Sequence, residues 1–226
     1  MIPLRDNIPA KKFPFITYLL ILINVALFIY ELTLGEFTNI FVSRYGCVPY
    51  EITRARDIEP YIGIPVYFTL LSSMFLHGSW WHLVGNMLFL FIFGDNVEDW
   101  WGHRRYILMY ILFGLIAALL QILVSSNSRV PFIGASGAIA GVMGSYFFLY
   151  PHAKVNVIFI FFFFIRIVWI PAFLFLGFWI LLQILYGFLT PPSASNIAFF
   201  AHIGGFFGGL LLTRWNVRRK LKGWKA

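Results

Sequence analysis

A serine set among glycines, and histidines placed to reach it, are the residues of this chain that could do chemistry. Ser136 stands in Gly134-Ala135-Ser136-Gly137 and opens the apolar run Ile133 to Tyr150; its hydroxyl is a nucleophile only with a base beside it. Taken alone, such a small-residue cluster more often lets helices pack closely than performs a reaction. His82 and Asn86 open another apolar segment and share one helical face. His202 lies a few residues into a third, with Gly205 and Gly209 on its face at spacings of three and seven. A hydroxyl, an imidazole able to take its proton, and two side chains with N–H groups are the parts of acyl transfer: nucleophile, general base and oxyanion donors.

Composition says where those parts must sit. Of 226 residues, 60% are hydrophobic and only 12% charged, and the mean hydropathy is +0.81. That is too little polar surface for a water-soluble globule, so the chain reads as a polytopic membrane protein. The net charge of +8 does not point to nucleic acid, because the basic residues gather at the ends of apolar segments, as membrane orientation requires. Cys47 is the single cysteine, which excludes an internal disulfide and a cysteine-based metal cluster; no metal or cofactor is expected.

The elements that would position the site follow from segment lengths and charge. Residues 1–14 form a polar N-terminal segment, with Pro14 placed to begin a helix. Residues 15–34 are too long for a signal-peptide core and read as a retained span. The long first loop, 35–80, mixes charges with apolar pieces and is expected to fold partly at the interface. Further spans are expected at about Trp81 to Trp101, Tyr106 to Val124 and Ile133 to Tyr150. Residues 155–189 are long for one span and short for two. Six spans place 13 basic residues, Arg5, Lys11, Lys12, Arg104, Arg105, Lys154, Arg166 and those from Arg214 onward, on one side. Only four, Arg44, Arg54, Arg56 and Arg129, then lie on the other, as the positive-inside rule expects when both ends are cytoplasmic. Val155 to Ile165 is therefore read as an interfacial or re-entrant segment, and Val168 to Leu189 as the fifth span. Residues 190–195 turn the chain, 197–212 make the sixth span, and 213–226 form a basic cytoplasmic tail. The expected fold is an all-α membrane protein, a bundle of six transmembrane helices with both termini cytoplasmic.

In that topology, spans two, four and six descend in parallel from the outer face. His82, Asn86, Ser136 and His202 then share one depth, within roughly the first 10 Å. Polar side chains are costly in a bilayer, and their convergence suggests a site facing the bundle interior. Ser136, Ala140 and Gly144 on one helix, and Ala201, Gly205 and Gly209 on another, form small faces that bring serine and histidine within hydrogen-bond reach. No acidic residue lies at this depth on the three segments. His202 would act on Ser136 without a carboxylate behind it, and His82, Asn86 and the Ser136 backbone N–H would receive the oxyanion. Glu31, near the outer end of span one, could reach the site only if that span packs beside it.

Several motifs occur in order over roughly residues 15–212: His77-Gly-Ser-Trp-Trp-His82-Leu-Val-Gly-Asn86, the Glu98-to-Gly102 spacing, Gly134-Ala-Ser136-Gly137 and Ala201-His202-Ile-Gly-Gly205-Phe-Phe-Gly-Gly209. Together they resemble the rhomboid family of intramembrane serine proteases. The resemblance implies a six-helix rhomboid core, Ser136 as nucleophile, His202 as its base, and His82 with Asn86 as oxyanion donors. It also implies substrates that are transmembrane segments of other proteins, cut near the outer face, with entry near the fifth span and a mobile cap at 190–195. Glu98 and Arg105 look like the family's structural inner-end residues, and His77 is expected to support the loop or a water. The chain departs from the pattern at Ala140, where some members carry an aromatic ring against the histidine, so other neighbours must orient His202. Arg44-Tyr45 is a poor counterpart of the family's loop tryptophan and arginine.

Two other classes stay open. A non-catalytic rhomboid-like binder of membrane proteins typically lacks the serine or histidine kept here. A small transporter would more often show internal repeats, and none is evident. The short N-terminus, without a Ser- and Arg-rich transit stretch, leans toward the cell inner membrane, with the site opening to the outer face. The expected partners are transmembrane protein substrates and the lipid bilayer.

Overall fold

The computed structural model describes residues 1–61, 63, 65–161, 164–190 and 197–223. In chain order the elements are β1 (Ile2–Asp6), α1 (Phe15–Thr33), the short helices α2 (Thr38–Tyr45), α3 (Pro49–Arg54) and α4 (Thr69–Ser72), then α5 (Trp80–Trp101), α6 (His103–Val124), α7 (Ser136–Leu149), β2 (Lys154–Phe161), β3 (Phe164–Pro171), α8 (Ala172–Leu189) and α9 (Phe199–Gly223). Among the described residues, α1, α6 and α8 are long and apolar enough to cross a membrane. Three carboxylates, Asp95, Glu98 and Asp99, sit toward the C-terminal end of α5, basic residues follow Thr213 in α9, and α7 is only 14 residues long.

The first helix shows how charge is placed to fasten apolar elements. It follows Pro14, and its first N–H groups have no partner within the helix. Glu98, from α5, supplies one: its carboxylate accepts from Ile16 N–H at 2.9 Å, Thr17 N–H at 2.8 Å and the Thr17 hydroxyl at 2.7 Å. A carboxylate there also opposes the positive end of the helix dipole. Glu98 is 1% exposed, so Glu98→Ala leaves the Ile16 and Thr17 N–H groups without an acceptor. It is expected to cost about 2 to 4 kcal/mol of stability, read as a fall of several degrees in the thermal midpoint of the detergent-solubilised protein.

The all-α expectation is corrected by a three-stranded antiparallel sheet, ordered β1-β2-β3. β1 pairs with β2 from Ile2↔Ile158 to Asp6↔Val155, and β2 with β3 from Lys154↔Pro171 through Ile160↔Ile165. In the segment expected to be interfacial or re-entrant, residues 155–161 and 164–165 are thus strand. Its β-branched and aromatic residues suit a pleated surface, with Val155 and Val157 buried and Ile160, Ile165 and Ile167 exposed. Pro171 ends β3 and immediately precedes α8, so the helix expected from Val168 starts at Ala172. At the other end of the chain, α9 continues helically to Gly223, past the expected boundary at 212. The cap expected at 190–195 falls, from residue 191 on, outside the described residues, as does the end of the tail at 224–226.

The core gathers around α7, whose residues Gly137 through Tyr146 are all buried. Phe93 of α5 meets Tyr146 edge-on at 4.9 Å, and Tyr106, Tyr110 and Phe113 of α6 fill the same core. The α7–α9 contact is backbone on backbone. A methyl group at Gly205 would overlap the Gly137 carbonyl oxygen, and one at Gly209 the Gly141 oxygen. That register makes the two helices parallel. Ser145 and Thr213 tie them further, the Thr213 hydroxyl donating to Ser145 Oγ at 2.9 Å and the Ser145 hydroxyl lying 3.3 Å from Gly209 O.

Candidate active site

Ser136 is the first residue of α7, so the backbone N–H groups of the first turn point away from the helix with no partner within it. The stretch before it is gripped by the first loop. Phe132 and Cys47 exchange backbone hydrogen bonds at 3.1 and 2.9 Å, and Gly134 N–H donates to Ser73 O at 2.8 Å. Gly134 has φ +120°, a conformation that side chains disfavour. A Cβ there would also stand 2.6 Å from His82 Nε2. The first glycine of the serine motif therefore makes room for an imidazole.

The parallel α7–α9 contact brings His202 to the serine. Its Nε2 lies 2.8 Å from Ser136 Oγ, within the range for direct proton transfer. Its other nitrogen, Nδ1, lies 2.7 Å from the amide oxygen of Gln183 on α8. An amide oxygen only accepts, so Nδ1 carries the proton and Nε2 is left as the acceptor for the serine hydroxyl. Trp179, one turn from Gln183, stands with its ring 5.7 Å from the imidazole. Ala140 is fully buried and offers no ring; α8 supplies the neighbours of His202 instead. Gln183 is not among the site residues expected from the sequence, where it stands only as a polar break in an apolar run. The available signal was that an amide inside such a segment needs a partner.

On the other side of Ser136, α5 carries His82 and Asn86. His82 Nε2 and Asn86 Nδ2 both approach Gly134, in the turn that leads to the serine. Asn86 Nδ2 donates to His77 Nε2 at 3.0 Å, and the His77 backbone N–H donates to both oxygens of Glu31 at 3.3 Å. Glu31, His77 and Asn86 are all buried and form one connected chain. The first helix does pack beside the site, Phe28 meeting Trp80 edge-on at 5.0 Å, but it brings Glu31 to the α5 side and not to His202. His77, expected to support the loop or a water, is the ring partner of Asn86.

These groups border a cavity of about 590 Å³. One end is polar, with Ser79, His82, Asn86, Ser136 and His202; the other is apolar, with Phe89 of α5, Ile139 and Met143 of α7 and Trp179 of α8. Such a shape accepts an apolar group with one polar bond placed at the hydroxyl.

A family model described as the Rhomboid domain matches residues 65–219, more than half the chain, and the chain belongs to the rhomboid family. YdcA of Bacillus subtilis, whose name assigns it provisionally to the rhomboid proteases, is 28% identical over 163 residues, covering 68% of this chain and 69% of its own length. RHOMBOID-like protein 2 of Arabidopsis thaliana is 34% identical over 164 residues, 70% of this chain and 44% of that protein. The mitochondrial Rhomboid protein 1 of Saccharomyces cerevisiae is 33% identical over 91 residues, 38% of this chain. The chain spans only 26% of the yeast protein's length.

Proposed function

We propose that the chain is an intramembrane serine endopeptidase that cuts transmembrane segments of other proteins. The observation that carries this reading is the 2.8 Å approach of Ser136 Oγ to His202 Nε2 at the polar end of an otherwise apolar cavity. Ser136 Oγ attacks the carbonyl carbon of the scissile bond while its proton passes to Nε2. The negative oxygen that forms is received by N–H groups of His82, Asn86 and the Ser136 backbone, at the head of α7. Collapse breaks the C–N bond, and Nε2–H protonates the leaving amine. Water, deprotonated by the same nitrogen, then attacks the acyl ester, and Ser136 leaves with its proton restored. The cavity's apolar end would hold a side chain of the substrate helix.

The topology that goes with this function has six spans, α1, α5, α6, α7, α8 and α9, with both termini on the cytoplasmic side of a cell inner membrane. The 13-to-4 division of basic residues supports it. The test is reconstitution of the purified chain in liposomes with a single-span protein, the products being read by mass spectrometry. Cleavage in or beside the spanning segment is expected. An uncut substrate panel, together with no labelling by a serine-directed fluorophosphonate, would instead indicate a non-catalytic binder.

The α5 side makes a graded prediction. Asn86→Ala removes an oxyanion donor and should lower kcat by about 10²- to 10³-fold. His77→Ala leaves Asn86 in place but unheld, and should cost about 10-fold. Steady-state cleavage of a fluorogenic single-span substrate ranks the two.

A further inference from the structure

The mechanism above uses only one nitrogen of His202, and this inference rests on that mechanism. The other nitrogen is engaged across helices: Gln183 is 19 residues away in sequence, on α8, and its Oε1 lies 2.7 Å from Nδ1. Gln183 is half-buried and does not itself line the cavity; it meets the site through His202. It would be an expensive residue to place in a helix as apolar as α8 without a partner. We propose that Gln183 is the positioning residue of the base, its amide oxygen holding Nδ1–H so that Nε2 stays bare and directed at Ser136. The site is then a serine, an imidazole and a neutral amide contributed by three helices, α7, α9 and α8.

Two physical consequences separate this role from simple packing. A neutral acceptor fixes the tautomer and the ring's orientation without placing a negative charge beside the imidazolium that forms when Nε2 takes the proton. A carboxylate at the same position would fix the same tautomer and would also stabilise the imidazolium. Among the described residues that line the cavity with His202, the other titratable side chain is His82 of α5. Gln121 of α6, which accepts from Ala201 N–H at 3.2 Å, is neutral. An introduced charge at 183 would therefore dominate the local field.

The test uses the full chain in liposomes and two substitutions of nearly constant volume. Gln183→Met removes the acceptor and should lower kcat by about 10- to 100-fold, with KM changed less than about 2-fold, because a loosened ring misplaces Nε2 by a fraction of an ångström. Gln183→Glu restores an acceptor, and should recover most of the rate while moving the acid limb of the pH–rate profile to higher pH. An unchanged kcat in the Met variant overturns the proposal. So does a slow Met variant that Glu neither rescues nor shifts in pH, since that result describes packing alone. Both outcomes are distinct from failure of the protease reading, in which the unmodified chain does not cut, or still cuts after loss of Ser136.

Discussion

Ser136→Ala is expected to abolish both cleavage of a single-span substrate and covalent labelling by a fluorophosphonate, with kcat reduced by about 10⁴-fold or more. The size of the effect comes from what the substitution removes. Without Oγ no acyl ester can form, and the split of one difficult step into two easier ones is lost. What survives is orientation of the substrate and stabilisation of its oxyanion, which in serine hydrolases still leaves a residual acceleration over water. The fold should be indifferent to the change. Ser136 is the first residue of α7, its hydroxyl is bonded to His202, and alanine is a strong helix former. The thermal midpoint should therefore match that of the parent. Labelling that persists in the variant would assign the nucleophile elsewhere. Cleavage that persists with labelling gone would separate the probe's target from the chemistry.

The second large effect is expected from glycine, by a different route. Gly205 lies three residues after His202, and any side chain there would overlap the carbonyl oxygen of Gly137, the residue after Ser136. The obstacle is backbone and cannot swing aside. Gly205→Val must push α9 away from α7 at the level where the 2.8 Å contact between serine and histidine is made. Displacement by about 1 Å at a reacting centre can cost 10²-fold, and overpacking costs about 1 to 3 kcal/mol of stability. Gly209→Val meets the Gly141 oxygen in the same way, one turn farther from the site. Both variants should lose stability by similar amounts in thermal denaturation, while kcat falls distinctly further for Gly205→Val. Equal activity losses would mean that the site tolerates local separation and fails only with the fold. Full activity and stability in Gly205→Val would contradict the close approach itself.

The two expectations share a cause. The serine and the imidazole come from helices whose backbones nearly touch, so the reacting distance is set by carbonyl oxygens against glycine Cα atoms and not by long side chains that could adjust. That stiffness extends to the turn before Ser136, where Gly134 admits His82 and where Ser73 and Cys47 of the first loop hold the strand-like approach. The first loop, expected to settle partly at the interface, thus also positions the site. By contrast, the groups behind His202 and Asn86 are held by hydrogen bonds alone, Gln183 to His202, Asn86 to His77 and the His77 backbone N–H to Glu31. Their loss should be milder, as the expected fold-changes reflect.

By itself, the sequence determined that the chain belongs in a membrane, because its apolar fraction leaves no other solvent for it. It also determined that Ser136, His82, Asn86 and His202 lie at the heads of three apolar runs, and that glycines spaced by four flank two of them. These are local properties: burial cost and helical period can be read along one strand of text. The tertiary structure alone decided which side chains stand behind the pair. Gln183 faces His202 only through the rotation of α8 about its axis, and Glu31 reaches His77 only because α1 lies against α5. It decided as well that residues 154–161 and 164–171 are strand, since a run of valine, isoleucine and phenylalanine is equally apolar as helix or strand. The choice was made by pairing, of 154–161 with the neighbouring strand 164–171 and with Ile2 to Asp6 from the far end of the chain. Composition and period are properties of a segment, whereas hydrogen-bond partners and strand pairing are properties of what folds against it.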